Sequence, residues 1–181
     1  MAKPKISSDW LAGCAGCHMS LLDIDERIAT IAEAVDLRAT PITDLKQPDE
    51  DGVTVGILEG AVNLDHHEHV AKRMRARSKI LVAIGDCAVF GGVVAQRNMC
   101  GAQAALKRAY IEAESNDPND VRIPDDPELG VPTDVRAVHE VVKVDVFLPG
   151  CPPEADAIYH VLSELANGRM PELKDQNLHW H

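Results

Sequence analysis

The sequence has few aromatic residues and no long hydrophobic run. Phe, Trp and Tyr make up 3% of the 181 residues, which leaves few side chains on which nucleic-acid bases could stack. No apolar stretch approaches the roughly 20 residues of a transmembrane helix, and residues 1–5 do not begin a secretory signal. We therefore predict a chain that does not span a membrane and that stays in the cytoplasm.

Positive charge is also scarce. The chain carries 18 Lys and Arg against 29 Asp and Glu, which gives a formal net charge of −11 at pH 7. Such a surface repels a phosphate backbone, so we expect no nucleic-acid partner. Apolar residues, by contrast, account for 45% of the sequence, which is enough for a substantial core in a chain of this length.

Five cysteines are present, at positions 14, 17, 87, 100 and 151. Disulfides are rare in the reducing cytoplasm, and an odd number of cysteines cannot all pair within one chain. The five thiols therefore indicate metal binding or redox chemistry rather than a disulfide framework.

Hydrophobic patterning predicts alternating strands and helices. Mostly apolar runs predict strands at residues 6–11, 37–42, 53–58, 79–84 and 142–148, and periodicity or composition predicts helices at residues 20–35, 66–77, 102–114 and 154–166. Buried strands joined by a helix form βαβ units, which build parallel sheets. We predict an α/β fold, namely a flavodoxin-like open parallel sheet with helices on both faces.

The predicted organisation is a single domain over residues 1–181. Within it, residues 115–134 contain four prolines and many acidic side chains, a composition that prevents long regular structure. We interpret this stretch as an ordered surface loop and residues 169–181 as a short tail after the last helix.

Four of the five cysteines follow predicted strands. Cys14 and Cys17 come after the first strand, Cys87 after the fourth and Cys151 after the last. Because the carboxyl ends of parallel strands meet at one edge of an open sheet, where ligands bind, we expect these thiols to form one metal site. Cys100 lies between two predicted helical pieces, where a buried structural cysteine is the simpler interpretation.

Thiolates on separate loops suit an iron-sulfur cluster. Structural zinc sites usually draw their ligands from CxxC pairs that are close in sequence, whereas two of these cysteines are isolated. Glycines beside the cysteines let backbone N–H groups approach sulfur. Three alternatives stay open at this point: zinc, a thioredoxin-like dithiol, and a c-type haem at the CAGCH motif of residues 14–18, with His18 as axial ligand.

Four motifs together resemble the small subunit of [NiFe] hydrogenases. They are CxxCHxSLLD from Cys14, Glu-Gly-Ala from Glu59, Gly-Asp-Cys-Ala-x-x-Gly-Gly from Gly85 and Pro-Gly-Cys-Pro-Pro from Pro149. Together they span nearly the whole chain, and their combination is far more specific than a lone CxxC pair.

This resemblance implies a cofactor and its ligands. In the family the matching cysteines bind the [4Fe-4S] cluster nearest the nickel-iron site, which implies Cys14, Cys17, Cys87 and Cys151 here and leaves out Cys100. We expect the chain to carry neither the export signal nor the carboxy-terminal extension with further clusters that the family's larger membrane-linked or periplasmic forms have. It therefore resembles the short, single-cluster small subunit of cytoplasmic bidirectional NAD-reducing hydrogenases.

The resemblance also implies partners. The family's nickel ligands come from two CxxC pairs, and this sequence has only one, so H2 would be activated at a Ni-Fe centre on a large subunit. Diaphorase subunits with iron-sulfur clusters, FMN and NAD would continue the electron path. We predict an electron-relay subunit of a soluble NAD-reducing hydrogenase, that is, an enzyme subunit without its own H2-activating site.

Two other functions stay open as alternatives. One is a stand-alone iron-sulfur electron carrier or sensor. The other is a quinone-module subunit like that of respiratory complex I, whose version has adjacent cysteines where this chain has a spaced pair.

Two further features allow more than one interpretation. Glu59, after a buried strand, suits either proton movement between subunits or the structural role of a carboxylate that caps the next helix or binds loop amides. The run His66-His67-Glu68-His69 resembles a metal site, but on a charged helix we interpret it as a solvated face. A flavin on this chain is a further alternative, although cysteines rather than a phosphate-binding loop follow the first strand.

Overall fold

The computed structural model describes residues 3–174. The strands are β1 (Lys5–Trp10), β2 (Asp36–Leu37), β3 (Val53–Glu59), β4 (Val62–Leu64), β5 (Ser78–Ile84), β6 (Pro132–Arg136) and β7 (Val146–Leu148). The helices are α1 (Gly16–Leu22), α2 (Arg27–Ala34), α3 (Asp65–Arg77), α4 (Gly85–Phe90), α5 (Ala102–Tyr110) and α6 (Ala155–Ala166). Short 3-10 helices cover Gly92–Met99, Pro127–Leu129 and Val138–Glu140. Residues 175–181, most of the predicted tail, lie outside the described residues.

Five of the strands form one parallel sheet. Its spatial order is β2-β1-β3-β5-β7. Counted along the chain among these five strands alone, that order is 2-1-3-4-5, as in flavodoxin-like folds. The central strand β3 is buried on both faces, which explains its mostly apolar sequence VTVGILE. The predicted fold class is confirmed.

Hydrophobic cores lie on both faces of this sheet. On one face Ile57 packs with α1, α2 and α6, and α6 contributes a buried stripe that includes Val161. On the other face Leu58 packs with Met74 of α3 and Val89 of α4. Successive side chains of β3 thus point to opposite cores, as strand geometry requires. Each fully buried aliphatic side chain stabilises the fold by about 1.5 to 3 kcal/mol.

The helix predicted over residues 20–35 is two helices in the structure. α1 begins earlier, at Gly16, and ends at Leu22, and α2 begins at Arg27. Between them Asp25 has a φ of +55°, a left-handed conformation that Asp tolerates and that no helix can continue through. The predicted helix start at Ser20 is therefore wrong, because Ser20 lies inside α1.

The predicted second and last strands are longer than the observed ones. β2 stops at Leu37, and the chain then forms a turn in which the Thr40 amide donates to the Thr43 hydroxyl at 2.8 Å. β7 begins only at Val146, because a 3-10 turn at residues 138–140 precedes it.

A small second sheet was not predicted. β4 and β6 pair antiparallel, and β6 takes in the last residues of the proline-rich stretch 115–134. The side-chain amide of Asn98 anchors β6 through two hydrogen bonds to the backbone of Val135. Its Nδ2 donates to the Val135 carbonyl and its Oδ1 accepts from the Val135 amide, each at 2.8 Å. The stretch is thus held to the fold at its end.

Candidate metal centre

Four cysteines lie at one edge of the sheet, which we call the cysteine edge. It comprises the chain segments that follow β1, β5 and β7 and carry Cys14, Cys17, Cys87 and Cys151. These strands run parallel, so their carboxyl ends point the same way. The predicted position of the cysteine pair in a loop holds for Cys14 but is wrong for Cys17, which lies in the first turn of α1. Cys87 likewise lies in the first turn of α4.

The four thiols lie close enough to influence one another. Burial raises the pKa of the Cys17 thiol well above its usual range, and the charges of Glu59 and of the other three thiols raise it further. Burial also raises the pKa of Cys87, with Cys151 and Cys14 adding to the effect. Thiolates that repel one another and are partly removed from water are stabilised by a cationic metal centre. The residues at the cysteine edge fit such a centre.

Glycines allow the backbone to lie close to two of the sulfur atoms. A Cβ on Gly85 would lie 2.2 Å from Cys17 Sγ, and a Cβ on Gly92 would lie 2.9 Å from Cys87 Sγ. Gly85 also has a φ of +82°, a conformation that other residues adopt only at a cost. No larger side chain can occupy this position without displacing Cys17.

Backbone N–H groups point at two of the sulfur atoms. The amide of Gly16 donates to Cys14 Sγ at 3.4 Å. The amides of Val93 and Val94 donate to Cys87 and lower its pKa, against the stronger effect of burial. Such N–H donors stabilise thiolate and tune a bound cluster.

Glu59, at the end of β3, holds the beginning of α1. Its Oε1 accepts the amide N–H of Cys17 at 3.2 Å and its Oε2 accepts the amide N–H of His18 at 3.0 Å. Burial alone would raise the pKa of Glu59, but the hydrogen bond and charge of His18 bring it below its usual value. The structure shows Glu59 as a carboxylate that binds backbone amides, although these amides belong to the first turn of α1 rather than to a loop.

His18 connects Glu59 to β1. Its Nδ1 donates to the Glu59 carboxylate, and its Nε2 lies 2.9 Å from the Ser8 hydroxyl. The edge of the Trp10 ring meets the imidazole, with 5.6 Å between ring centroids. Because both ring nitrogens have partners within the protein, this arrangement argues against His18 as a haem ligand.

Two further bonds join the segments of the cysteine edge. The Ser20 hydroxyl donates to the Pro153 carbonyl at 2.6 Å and ties α1 to the segment after Cys151. Asp86 bonds to Gly150, next to Cys151. Sequence reasoning identified neither contact, although Ser20, Asp86 and Gly150 all lie in the motifs singled out above.

The chain that enters the cysteine pair is also anchored. Ala12 and Ala61 form an isolated antiparallel bridge, in which the Ala12 amide donates to the Ala61 carbonyl at 2.9 Å and the Ala61 amide donates back at 2.7 Å. The beginning of the cysteine loop is therefore fixed to the chain that leaves β3.

Cys100 lies apart from these groups. It is exposed and follows the 3-10 helix Gly92–Met99, and its thiol donates to the Arg97 carbonyl at 3.5 Å. It is not among the charges that act on Cys17 or Cys87. Its exposure contradicts the interpretation as a buried structural cysteine, because the 3-10 helix turns this position outward.

Two residues of the histidine run on α3, His67 and Glu68, are not free in solvent. Glu68 accepts from Lys72 at 2.5 Å and from Arg136 at 2.7 Å, and these two bonds lower its pKa to about 2. Burial lowers the pKa of His67 to about 4, so this imidazole is neutral at pH 7 and lies partly inside the protein rather than on a solvated face.

Within residues 3–174, no three His, Cys, Asp or Glu side chains are arranged to hold a single metal ion. The assignment of the four cysteines to one centre therefore depends on the sheet edge that they share and on the electrostatic influence among their thiols.

A cavity of about 270 Å³ lies between the sheet and helices α1 and α2. Aliphatic side chains such as Ile31 and Ile57 form most of its lining, and Cys17 and His18 stand at its border. This lining offers no cradle for a phosphate or another charged group, so we assign no ligand to the cavity.

The fold and the cysteine edge agree with the family to which the chain belongs. Residues 14–165 match the family described as NADH ubiquinone oxidoreductase, 20 Kd subunit, and the chain is a member of that family. It is 39% identical over 169 residues to the NAD-reducing hydrogenase HoxS subunit delta of Cupriavidus necator, a match that covers 92% of this chain and 80% of that protein.

A second relative is archaeal. The chain is 32% identical over 177 residues to a subunit of the F420-non-reducing hydrogenase of Methanothermobacter thermautotrophicus, and the match covers 97% of this chain but 58% of that longer protein. The predicted resemblance to hydrogenase small subunits is confirmed by these relatives, as is the interpretation of the chain as an enzyme subunit.

A solved structure leads to the same conclusion. A crystal structure of an NAD+-reducing [NiFe]-hydrogenase in the H2-reduced state contains a chain with a TM-score of 0.93 and 38% identity, and the match covers 99% of both chains. A [NiFeSe]-hydrogenase of Dm. baculatum shares the fold, with a TM-score of 0.56 and 21% identity over 98% of this chain and 69% of its own. None of the helices within residues 3–174 combines the length and the hydrophobicity that a membrane span requires.

Proposed function

We propose that this chain is the electron-relay small subunit of a cytoplasmic NAD-reducing [NiFe] hydrogenase and that Cys14, Cys17, Cys87 and Cys151 bind one [4Fe-4S] cluster. The observation that carries the proposal is the convergence of four thiols, from three strand ends, at one edge of the sheet. The likeness to the HoxS delta subunit and to the NAD+-reducing [NiFe]-hydrogenase structure supports it.

The bound cluster would supply one-electron transfer, and the protein residues would set its surroundings. Among the four cysteines Cys17 is buried and Cys87 is half-buried, whereas Cys14 and Cys151 are exposed. Gly85 leaves no room for a side chain beside Cys17, because a Cβ there would lie 2.2 Å from the sulfur atom. Burial, nearby charge and N–H bonds to sulfur are the means by which a protein tunes a cluster potential.

H2 activation belongs on a partner in this proposal. The only CxxC pair of the sequence is Cys14 and Cys17, and it is assigned to the cluster. A large subunit would therefore carry the Ni-Fe centre. Diaphorase subunits with iron-sulfur clusters, FMN and NAD would receive the electrons that leave this chain.

Exposed apolar side chains near the cysteines support a docking face for the large subunit. Met19 follows the cysteine pair, and Phe90 and Val93 follow Cys87; each of the three is more than half exposed. Large exposed apolar side chains around a functional site are typical of a protein interface. An electron relay also requires its partner close to the exposed cysteines.

Affinity purification of the tagged chain from its native extract, without oxygen, tests the proposal. We expect a complex that contains nickel and iron and reduces NAD+ or NADP+ with H2. Iron and sulfide analysis should give about four iron atoms per small subunit from this site once the partner clusters are subtracted. A parallel preparation of the Cys17→Ser variant is the control for the cluster.

Other results would favour the alternatives. A stable monomer with a complete cluster and no nickel would support a stand-alone carrier or sensor. A complex that reduces a quinone, contains no nickel and does not consume H2 would support a quinone-module subunit instead.

A further inference from the structure

We propose that Asp86 is a positioning residue of the metal centre, because its two hydrogen bonds with Gly150 lock the segment of Cys87 to the segment of Cys151. This inference rests on the proposed cluster and concerns how the chain sets the spacing of two of its ligands. Each bonded residue directly precedes a cysteine in the sequence.

The two bonds are reciprocal. The Asp86 amide donates to the Gly150 carbonyl at 2.9 Å. The Gly150 amide donates in return to Oδ1 of Asp86 at 2.7 Å, a short distance typical of a bond to a carboxylate. A ring of two bonds fixes both the distance and the orientation of the paired segments better than one bond does.

The bonds lie just beyond the regular end of the sheet. The last residues in register between β5 and β7 are Ile84 and Leu148, two positions before Asp86 and Gly150. At that point β5 has become α4, whose carbonyls turn into the helix. The Asp86 side chain therefore supplies an acceptor for the Gly150 amide at a point where the parallel ladder has already ended.

The segment around Gly150 has little freedom to adapt if the bond is lost. A Cβ on Gly150 would lie 2.5 Å from the Pro153 Cα, which shows how tightly this turn is folded. On its other side the Pro153 carbonyl accepts from Ser20 of α1. The segment of Cys151 is thus held by α1 at Pro153 and by α4 at Gly150, and the Asp86 bonds connect it to the segment of Cys87.

Hydrogen-bonding residues such as Asp86 matter because they hold the cysteine ligands in place before the metal binds. Removal of a residue that orients a metal ligand typically reduces metal affinity by roughly 10- to 100-fold. For Asp86 the expected effect falls on the retention of the cluster, since Cys151 itself is exposed and depends on its neighbours for its position.

Three variants of the full chain, purified in its native complex, test the proposal. Asp86→Ala removes the acceptor, Asp86→Asn keeps an acceptor oxygen without the charge, and Asp86→Glu keeps the charge but displaces it by one methylene. The rate of cluster bleaching by an iron chelator, without oxygen, is measured together with the electron paramagnetic resonance spectrum of the reduced cluster.

We expect Asp86→Ala to lose its cluster roughly 10- to 100-fold faster than the wild type. Asp86→Asn should stay within about 3-fold of the wild type, with an unchanged spectrum, because the amide oxygen can still accept from Gly150. Asp86→Glu should lose the cluster faster than Asp86→Asn. Asp126→Ala is the control, since it removes a bond to the Glu128 amide, 2.9 Å long, away from the cysteines.

Two results would overturn the inference. One is an Asp86→Ala protein that keeps its cluster as long as the wild type. The other is an Asp86→Glu protein that matches the wild type while Asp86→Asn does not, which would mean that Asp86 acts by charge. A wild-type protein without any cluster would refute the proposed function itself, and so the two failures are distinguishable.

Discussion

Cys17 and Cys100 are the same side chain in opposite surroundings. Cys17, at the cysteine edge, is 9% exposed, and its amide is held by the Glu59 carboxylate. Cys100 is exposed at the end of the 3-10 helix Gly92–Met99, and both its amide and its thiol bond to the nearby Arg97 carbonyl. The contacts of Cys17 come from distant parts of the chain, whereas those of Cys100 are local.

The surroundings of a thiol, rather than its presence, therefore indicate a metal ligand. At the cysteine edge, residues far apart in sequence converge to fix the backbone beside each sulfur atom. The bonds of Cys100, by contrast, reach no further than Arg97 and Gly101. The following variants compare the two regions directly.

The largest expected difference is between the cysteines themselves. Cys17→Ser, Cys87→Ser or Cys151→Ser should abolish a normal [4Fe-4S] signal, because a serine hydroxyl is a poor substitute for thiolate at iron. Cys100→Ser should leave the signal largely intact. Iron and sulfide analysis with electron paramagnetic resonance, on protein kept free of oxygen, measures both.

The opposite outcome is clearly defined. A cluster that survives Cys151→Ser and disappears with Cys100→Ser would show that the comparison assigns the ligands wrongly.

A smaller difference is expected between two glycines with the same backbone conformation. Gly85 has a φ of +82° and Gly101 a φ of +81°. A Cβ on Gly85 would collide with Cys17, whereas a Cβ on Gly101 would meet no atom within 4 Å. Gly101→Ala should therefore cost only the backbone strain, about 1 to 2 kcal/mol. Gly85→Ala should cost that and about 1 to 3 kcal/mol more for overpacking.

Thermal unfolding of the two variants, side by side, measures this difference, and the iron content should fall only in Gly85→Ala. Equal losses of stability and full iron content in both variants would mean that the contact with Cys17 has no consequence for the site.

The last comparison is between two glutamates. Glu59→Gln loses a carboxylate oxygen that accepts buried N–H groups from α1, and should lower the free energy of unfolding by about 1 to 3 kcal/mol. Glu112→Gln removes only an exposed ion pair with Lys107, 2.9 Å long, and should have no measurable effect. Denaturant unfolding at pH 7 compares the two, and a Glu59→Gln protein as stable as Glu112→Gln would contradict the role assigned to Glu59.

The parallel sheet and the set of four cysteines could be predicted because their signals are local. A strand such as β3 is a continuous apolar run, and glycines stand close to Cys17 and Cys87 in the sequence. The placement of the cysteines after strands then brings them to one edge by topology alone.

The bonds that organise the site could not be predicted in the same way. Asp86 and Gly150 are 64 residues apart, and Ser20 and Pro153 are 133 residues apart. A pair of polar residues at such a separation produces no periodicity. Ser20 also resembled a helix start, because a serine three residues before an acidic residue, here Asp23, is a common capping pattern.

Short elements were missed for a different reason. β4 has only three residues, which is too short for an apolar run to indicate a strand. It is a strand because it pairs with β6. The break between α1 and α2 likewise depends on one residue, Asp25, within an apolar stripe that continues through it.

The bridge between Ala12 and Ala61 has a consequence for the length of the chain beside it. It fixes the point from which the backbone departs, and α1 begins four residues later at Gly16. Residues 13–15 therefore limit the distance between the bridge and the beginning of α1, since each residue can extend the chain by only about 3.5 Å. One residue more or fewer would carry the first sulfur atom out of position while the rest of the molecule stayed in place.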